Sequence, residues 1–435
     1  MGVSAGTTQE SSEVSRLTAH LFREESGKLV SVLTGLFGIE RLQLAEDVVQ
    51  EALVRALQTW PFYGIPQNPA AWLTQTAKNL ALDVVRREKN FHEKQAQLTT
   101  FLEVWSGDFD AAPEPAFETE VKDDRLRLMF ACCHPELPSE AQAALALKTL
   151  CGFGTVEISK AFLTTEAAIA KRLVRARQRI RELGIPFEIP AGEELSPRLA
   201  GVLQTLYLLF SEGYKASSGD SLIREELCHE AIRLAALLAE HPLTGQPRTH
   251  ALLALMLLNA ARLSARLDGQ GNILRLQEQD RTRWSRELIV RGLRHLALSA
   301  EGDEMSEYHL QAGIAACHCT AEDYPSTDWA RIVALYDQML RLDPSPIIAL
   351  NRAVALANLR GPAEGLAAIE AIQNRQPLDS YYLFHAVRAE FEAQLQCYDA
   401  ALAHLRKALP LTELKSEHAL LSGRLREYER LAKAG

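Results

Sequence analysis

The chain has 435 residues, too many for one ordinary core, and 47% are apolar against 24% charged, so two or three globular domains are expected. Its 47 basic and 56 acidic side chains leave a net charge of −9, which excludes a protein coated in nucleic acid but leaves room for a local basic surface. No apolar run approaches the roughly 18 residues of a membrane span. The opening stretch MGVSAGTTQESSEVSRLTAH lacks the basic-then-apolar order of a secretory signal, so a cytoplasmic protein is expected.

Cys132, Cys133, Cys151, Cys228, Cys317, Cys319 and Cys397 form no CxxC pair, which predicts reduced, mostly buried thiols. CCHP (132–135) and CHC (317–319) place neighbours too close together to share one tetrahedral ion, so neither a metal nor a cofactor is expected. The GxGxxG, GxxxxGK[ST] and HExxH patterns are all missing and the twelve histidines are scattered. His134, His229 and His309 are assigned to packing or surface. An enzyme is not expected.

Helical periodicity runs through the chain, without a convincing run of alternating β-branched residues, so the fold class is all-α. In LAEDVVQEALVRALQTW (44–60), Val48, Ala52, Leu53, Ala56, Leu57 and Trp60 form a core side. Glu46, Asp47, Gln50 and Glu51 form an acidic, hydrogen-bonding surface. NPAAWLTQTAKNLALDVVRREKN (68–90) follows, with Asn68 as N-cap and Pro69 in the first turn. Trp72, Leu73, Thr76, Leu80 and Val84 mark its buried side, while Lys78, Asn79, Arg86, Arg87 and Lys89 give a basic, amide-bearing surface. Residues 101–124 then set eight acids against Lys122, with Pro113 and Pro115 among them, the composition of an extended acidic linker.

TVEISKAF (155–162) reads as a short amphipathic helix, LTT as a tight connection and TTEAAIAKRLVRARQRIREL (164–183) as a basic helix. Ile169, Leu173, Ala176, Ile180 and Leu183 share one stripe. Lys171, Arg172, Arg175 and Arg179 fall opposite, flanked by Arg177 and Arg181, and Ala167, Ala168 and Ala170 are small enough for close approach to a groove. Thr164 or Thr165 can cap, and Glu166 complements the helix dipole. Two readings stand: a solvated basic face on a bundle helix, or the second helix of a helix-turn-helix set for a major groove.

Beyond a break at GIPFEIPAGEELSP (184–197) and a loop at SEGYKASSGDS (211–221), the last hundred residues repeat. Pro344, Pro377 and Pro410 are 33 residues apart, and each closes an amphipathic helix. The intervening IIALNRAVALANL and YYLFHAVRAEFEAQL complete helix pairs that resemble tetratricopeptide repeats. A polar capping helix follows Pro410.

Together these motifs resemble the RNA polymerase sigma factors of the extracytoplasmic-function (ECF) type. AEDVVQEALVRAL is similar to region 2.2, AAWLTQTAKNLALDVVRRE to regions 2.3 and 2.4, and LPSEAQAALALKTLCGFGTVEISKAFLTTEAAIAKRLVRARQRIREL to region 4. The likeness covers residues 15–186 and implies region 2 at 1–96, the linker at 97–122, region 4 at 123–186 and a helical extension at 187–435. It implies that Asp47, Gln50 and Glu51 dock on the polymerase β′ clamp coiled coil. Lys78, Asn79, Arg86 and Arg87 would bind and open the −10 element. Thr165, Ala168, Lys171, Arg172, Arg175 and Arg179 would lie on the helix reading the −35 element, with region 4 against the β flap. The implied partners are thus core RNA polymerase and promoter DNA, with a regulatory protein on the repeat surface as a further candidate and no membrane. Two features depart from the family pattern: the start DDRLRLMFACCHPEL, and LTT in place of the usual glycine at the helix-turn-helix bend. The competing reading is a DNA-binding regulator or repeat scaffold that does not direct initiation; the acidic docking face speaks against it. Each basic surface is a weak, salt-sensitive DNA binder alone, and tethering both on polymerase raises their effective concentration.

Overall fold

Apolar residues recurring every three or four positions, with few β-branched runs between them, make nearly every described stretch a helix. The computed structural model describes residues 41–87, 123–162, 164–183, 192–217, 222–412 and 414–434, together with positions 26, 27, 29, 30, 33, 34 and 37. The acidic linker at 97–122 lies outside the described residues, as do the side chains of Arg86 and Arg87. Among the described residues the only strand-like pairing is an isolated antiparallel bridge between Leu267 and Ile273. None of their helices is long and apolar enough to cross a membrane. The chain divides into two units, residues 1–205 with 241–243, and residues 206–240 with 244–435.

The first unit opens with α1 (Leu42–Tyr63), which buries Ala45, Val48, Val49, Ala52, Leu53, Ala56 and Trp60 and stops where Gly64 turns to φ +84°. Helix α2 (Pro69–Arg87) starts as its sequence dictates: Asn68 Oδ1 accepts from the Ala71 amide at 3.0 Å. It packs on α1 through Leu73, Ala77 and Ala81, with Trp72 edge-on to Trp60 at 5.5 Å. Trp72, Thr76, Leu80 and Val84 are only half-buried, because the small Ala77 and Ala81 bring the backbones close and occupy the centre of the contact. Leu57, expected in the core, is 44% exposed.

Four further helices form a compact group: α3 (Asp124–Cys132), α4 (Ser139–Leu150), α5 (Thr155–Ala161) and α6 (Glu166–Leu183). Asp123 caps α3 by accepting from the Arg125 and Leu126 amides. Buried almost all round, α4 is the post against which α3, α5 and α6 pack. Helix α7 (Ser196–Tyr214) is longer than the sequence breaks imply, since Leu203, Leu206, Leu209 and Phe210 prolong its buried stripe through the expected loop start at Ser211. Its first half lies on α3 and α4. Arg198 donates to the Phe130 carbonyl at 3.2 Å, and a Cβ at Gly201 would overlap the Gln142 side chain.

In the second unit, α8 (Glu225–Glu240), α10 (Arg286–Ser299) and α11 (Glu307–Thr320) pack around α9 (Pro247–Ala260), whose residues Ala251–Leu258 are all buried. Gly292 lets α10 approach α9 closely, since a Cβ there would lie 2.8 Å from Leu258 Cγ. The repeats follow as α12 (Trp329–Leu342), α13 (Pro346–Arg360), α14 (Pro362–Glu370), α15 (Tyr382–Gln394), α16 (Tyr398–Ala408) and α17 (Lys415–Ala434). Three successive apolar clusters join each helix to its sequence neighbours, the quasi-linear packing of stacked repeats. Helix α14 stops at Glu370, short of the expected Pro377, and a turn with Asn374 at φ +53° follows before a short 3₁₀ segment over Gln376–Ser380.

Candidate nucleic-acid interface

Asp47, Gln50 and Glu51 are exposed along one side of α1, where Asp47 accepts from Gln43 Nε2 at 2.8 Å and Glu51 pairs with Arg55 at 3.1 Å. Val54 and Leu57, 43% and 44% exposed, continue the same side toward the C-terminus. Glu46 does not belong to this surface. One residue is 100° of helical rotation, and that turns Glu46 inward to 6% exposure. Its Oε1 accepts from Thr149 Oγ1 at 2.9 Å and its Oε2 from Arg177 Nη2 at 2.7 Å.

On α2, Asn79 is exposed and accepts from Gln75 Nε2 at 3.1 Å, and Lys78 is half-buried. The last turn of α1 carries two aromatic side chains in the open: Phe62 is 83% and Tyr63 86% exposed, and Ile65 just beyond it is partly so. Sequence reasoning passed over this pair. The available signal was PFYGIP, in which Gly64 and Pro66 end the helix just after the aromatics.

The helix-turn-helix forms as expected. Glu157 accepts from the Gly154 amide at 2.7 Å to start α5. Thr165 caps α6 through the Ala168 amide, and Thr155 Oγ1 bonds Glu166 at 2.5 Å across the pair. Ile169, Leu173, Ala176 and Ile180 are buried, while Leu183 is 39% exposed as the helix runs past its support. The arginines divide. Lys171 and Arg175 are exposed, with Thr165 exposed and Ala168 half-buried on the first turn. Arg172 folds sideways to an ion pair with Glu140 and lies 5.4 Å from the Phe162 ring centre. Arg179 follows it toward Glu136 at 3.6 Å. The outward cationic face is therefore narrower than expected, because Arg172 and Arg179 stand at the edge of the buried stripe, where α4 and the loop before it supply two acids.

Burial raises the Cys132 thiol, with the neighbouring Cys133 and Glu46 adding to it, and pushes Cys133 up to about 12 against the Thr205 hydrogen bond and Arg198 charge. Such thiols stay protonated and poorly suited to ligate a metal. Among the described residues no three His, Cys, Asp or Glu side chains are placed to hold one.

Comparison with known proteins matches sigma-70 region 2 to residues 21–91 and sigma-70 region 4 to residues 127–180, while residues 198–300 match a family of unknown function (DUF6596). The chain is 34% identical over 146 residues to the ECF RNA polymerase sigma factor SigL of Mycobacterium tuberculosis, spanning 32% of this chain and 77% of that one. It is 32% identical over 140 residues to the ECF RNA polymerase sigma factor SigM of Bacillus subtilis, spanning 32% of this chain and 79% of the relative. The chain belongs to the ECF RNA polymerase sigma factors. This sigma factor acts with RNA polymerase and promoter DNA to direct transcription initiation, which sets aside the regulator that does not direct initiation. Its similarity to the uncharacterized protein R00370 of Rhizobium meliloti continues into the helical tail, at 38% identity over 383 residues, 87% of this sigma factor and 89% of the relative. No solved structure matches it.

Proposed function

We propose that the exposed side of α1 is the polymerase-docking face, with Asp47, Gln50 and Glu51 meeting the β′ clamp coiled coil and Val54 and Leu57 completing the contact. The carrying observation is that acids and apolar side chains share one unburied side of a helix whose other sides are packed. A purely solvated side has no need of the apolar pair. Lys78, Asn79, Arg86 and Arg87 bind and open the −10 element, with Phe62 and Tyr63 offering exposed rings on which an unpaired base stacks. Lys171 and Arg175 read the −35 element from the outer side of α6. Thr165 and Ala168 shape its first turn, and Arg172 and Arg179 act by holding the helix to Glu140 and Glu136. Region 4 meets the β flap. Run-off transcription from genomic fragments with purified core polymerase and the full chain tests the whole assignment. Discrete transcripts starting downstream of one shared sequence pair are expected; a lack of selective initiation refutes it.

The tail, from residue 187 onward, controls or supports this core in cis, and its repeats present a surface for a regulatory protein. Support comes from α7, whose first half is seated on α3 and α4 through Arg198 and Gly201. A change at that seat reaches region 4 directly. Gly201→Val drives a side chain into Gln142 and Cys133 and should change the yield of selective transcripts. Unchanged transcription by a variant shown to be displaced at this seat would remove the cis role.

A further inference from the structure

Glu46 and Arg177 are 131 residues apart in sequence, yet their side chains meet at 2.7 Å, with Glu46 nearly sealed from solvent and Arg177 half-buried. One belongs to region 2 and the other to the recognition helix of region 4. Thr149 of α4 adds a second bond to the same carboxylate. Gly27 extends the contact, since a Cβ there would overlap the Leu150 carbonyl. Regions 2 and 4 are therefore held directly against each other.

That arrangement cannot persist on a promoter. Elements at −10 and −35 lie roughly 25 base pairs apart, about 85 Å of duplex at about 3.4 Å per pair. Helices α1 and α6, laid end to end, span only about 60 Å at about 1.5 Å per residue. We infer that the Glu46–Arg177 pair is a latch that closes the free sigma factor and must break when the two regions take their separate elements; this rests on the −10 and −35 assignment proposed above.

The chemistry suits a reversible latch. A buried ion pair gives little net stability, because desolvation offsets most of the attraction. When the regions part, both groups regain water and neither charge is stranded. Asp47, Gln50 and Glu51 stay exposed in the closed form, so polymerase can dock before the latch opens. Opening then adds Glu46 to the edge of that acidic face and frees Arg177, on the flank of α6, for a phosphate.

The test is a distance measurement on the full chain, with a dye pair introduced by genetic encoding at the exposed positions Ala71 and Val156, which leaves the native cysteines unmodified. The free protein should give one compact population. Glu46→Gln and Arg177→Met should each raise the extended fraction at least tenfold, and Thr149→Val, which keeps both charges, should raise it less. The exchange E46R/R177E should restore the compact form, which separates a broken latch from misfolding. Adding core polymerase and promoter DNA should move the unmodified chain to the extended form. An extended free protein, single variants that stay compact, or a compact distance retained in the promoter complex would each overturn the latch. A mistaken promoter assignment would show instead as unselective transcription, with the free-chain distances unaltered.

Discussion

Arg172 and Arg175 stand one turn apart on α6 but do different work: Arg172 is ion-paired to Glu140 beside the Phe162 ring, whereas Arg175 projects into solvent. Replacing Lys171 and Arg175 together with Ala should abolish initiation that depends on the upstream element, each contact being worth about 1–3 kcal/mol, while polymerase binding is kept. Arg172→Ala should instead lower the thermal stability of region 4 by on the order of 1 kcal/mol, since Glu140 is exposed and the ring contact is modest. Templates with intact and scrambled −35 elements, alongside melting curves, distinguish the two. Should Arg172→Ala change base preference without any loss of stability, the division of labour is wrong.

The docking face of α1 should respond to two kinds of substitution in different ways. Reversing Asp47 and Glu51 to Lys should weaken the complex with core polymerase about tenfold or more, roughly 1.4 kcal/mol, mainly through a slower and salt-sensitive association. Val54→Ser with Leu57→Ser should weaken it with little salt dependence, as lost apolar burial does. Association kinetics at two ionic strengths read both effects. A normal affinity for either pair removes that half of the face.

Why some of this was legible in the sequence and some was not follows from the range of the interactions. The stripe Ile169, Leu173, Ala176, Ile180 is a local regularity, so it could be read directly, as could the Asn68 start and the helices of the repeats. Arg172 and Arg179 sit at the edge of that stripe, where a long side chain can swing either way. Glu140 and Glu136, tens of residues upstream, decide the direction. Glu46 was grouped with the acids of a docking face although its helical position beside Val49 and Leu53 turns it inward; what no local pattern shows is its partner Arg177, 131 residues away. Leu57 was misplaced in the core for a related reason: periodicity reports that a residue is apolar, not whether another protein is meant to cover it.

The exposed aromatics at the end of α1 offer a separate handle on strand opening. Phe62→Ala and Tyr63→Ala should leave polymerase binding and duplex recognition in place but reduce open-complex formation, since stacking on a base is worth about 1–3 kcal/mol per ring. Permanganate reactivity of unpaired thymines, or fluorescence of a base analogue placed in the −10 element, reports this step alone. A premelted template should rescue both variants; lack of rescue would place the rings elsewhere in the cycle.

Acid should loosen the helical tail through its histidines. Burial and neighbouring cations hold His295, His318 and His404 down to about 4, with His250, Arg294 and Arg291 acting on the first, Arg262 and Arg281 on the second, and Arg388, His385 and Lys407 on the third. The unfolded chain protonates them near pH 6.5, so it binds more protons than the folded chain between about pH 6.5 and 4. Their contribution is complete above that window and is lost as pH falls through it, by about 1 kcal/mol for each group at pH 5.5. Glu307 and Glu392, raised by burial, oppose the trend because their protonated forms favour the fold as the pH nears the carboxylate range. Thermal unfolding of the full chain should therefore move to lower temperature from pH 7.5 to 5.5, and His318→Asn or His404→Gln should flatten that slope even if each lowers stability at pH 7.5. A slope unchanged by both substitutions would assign the acid sensitivity to other groups.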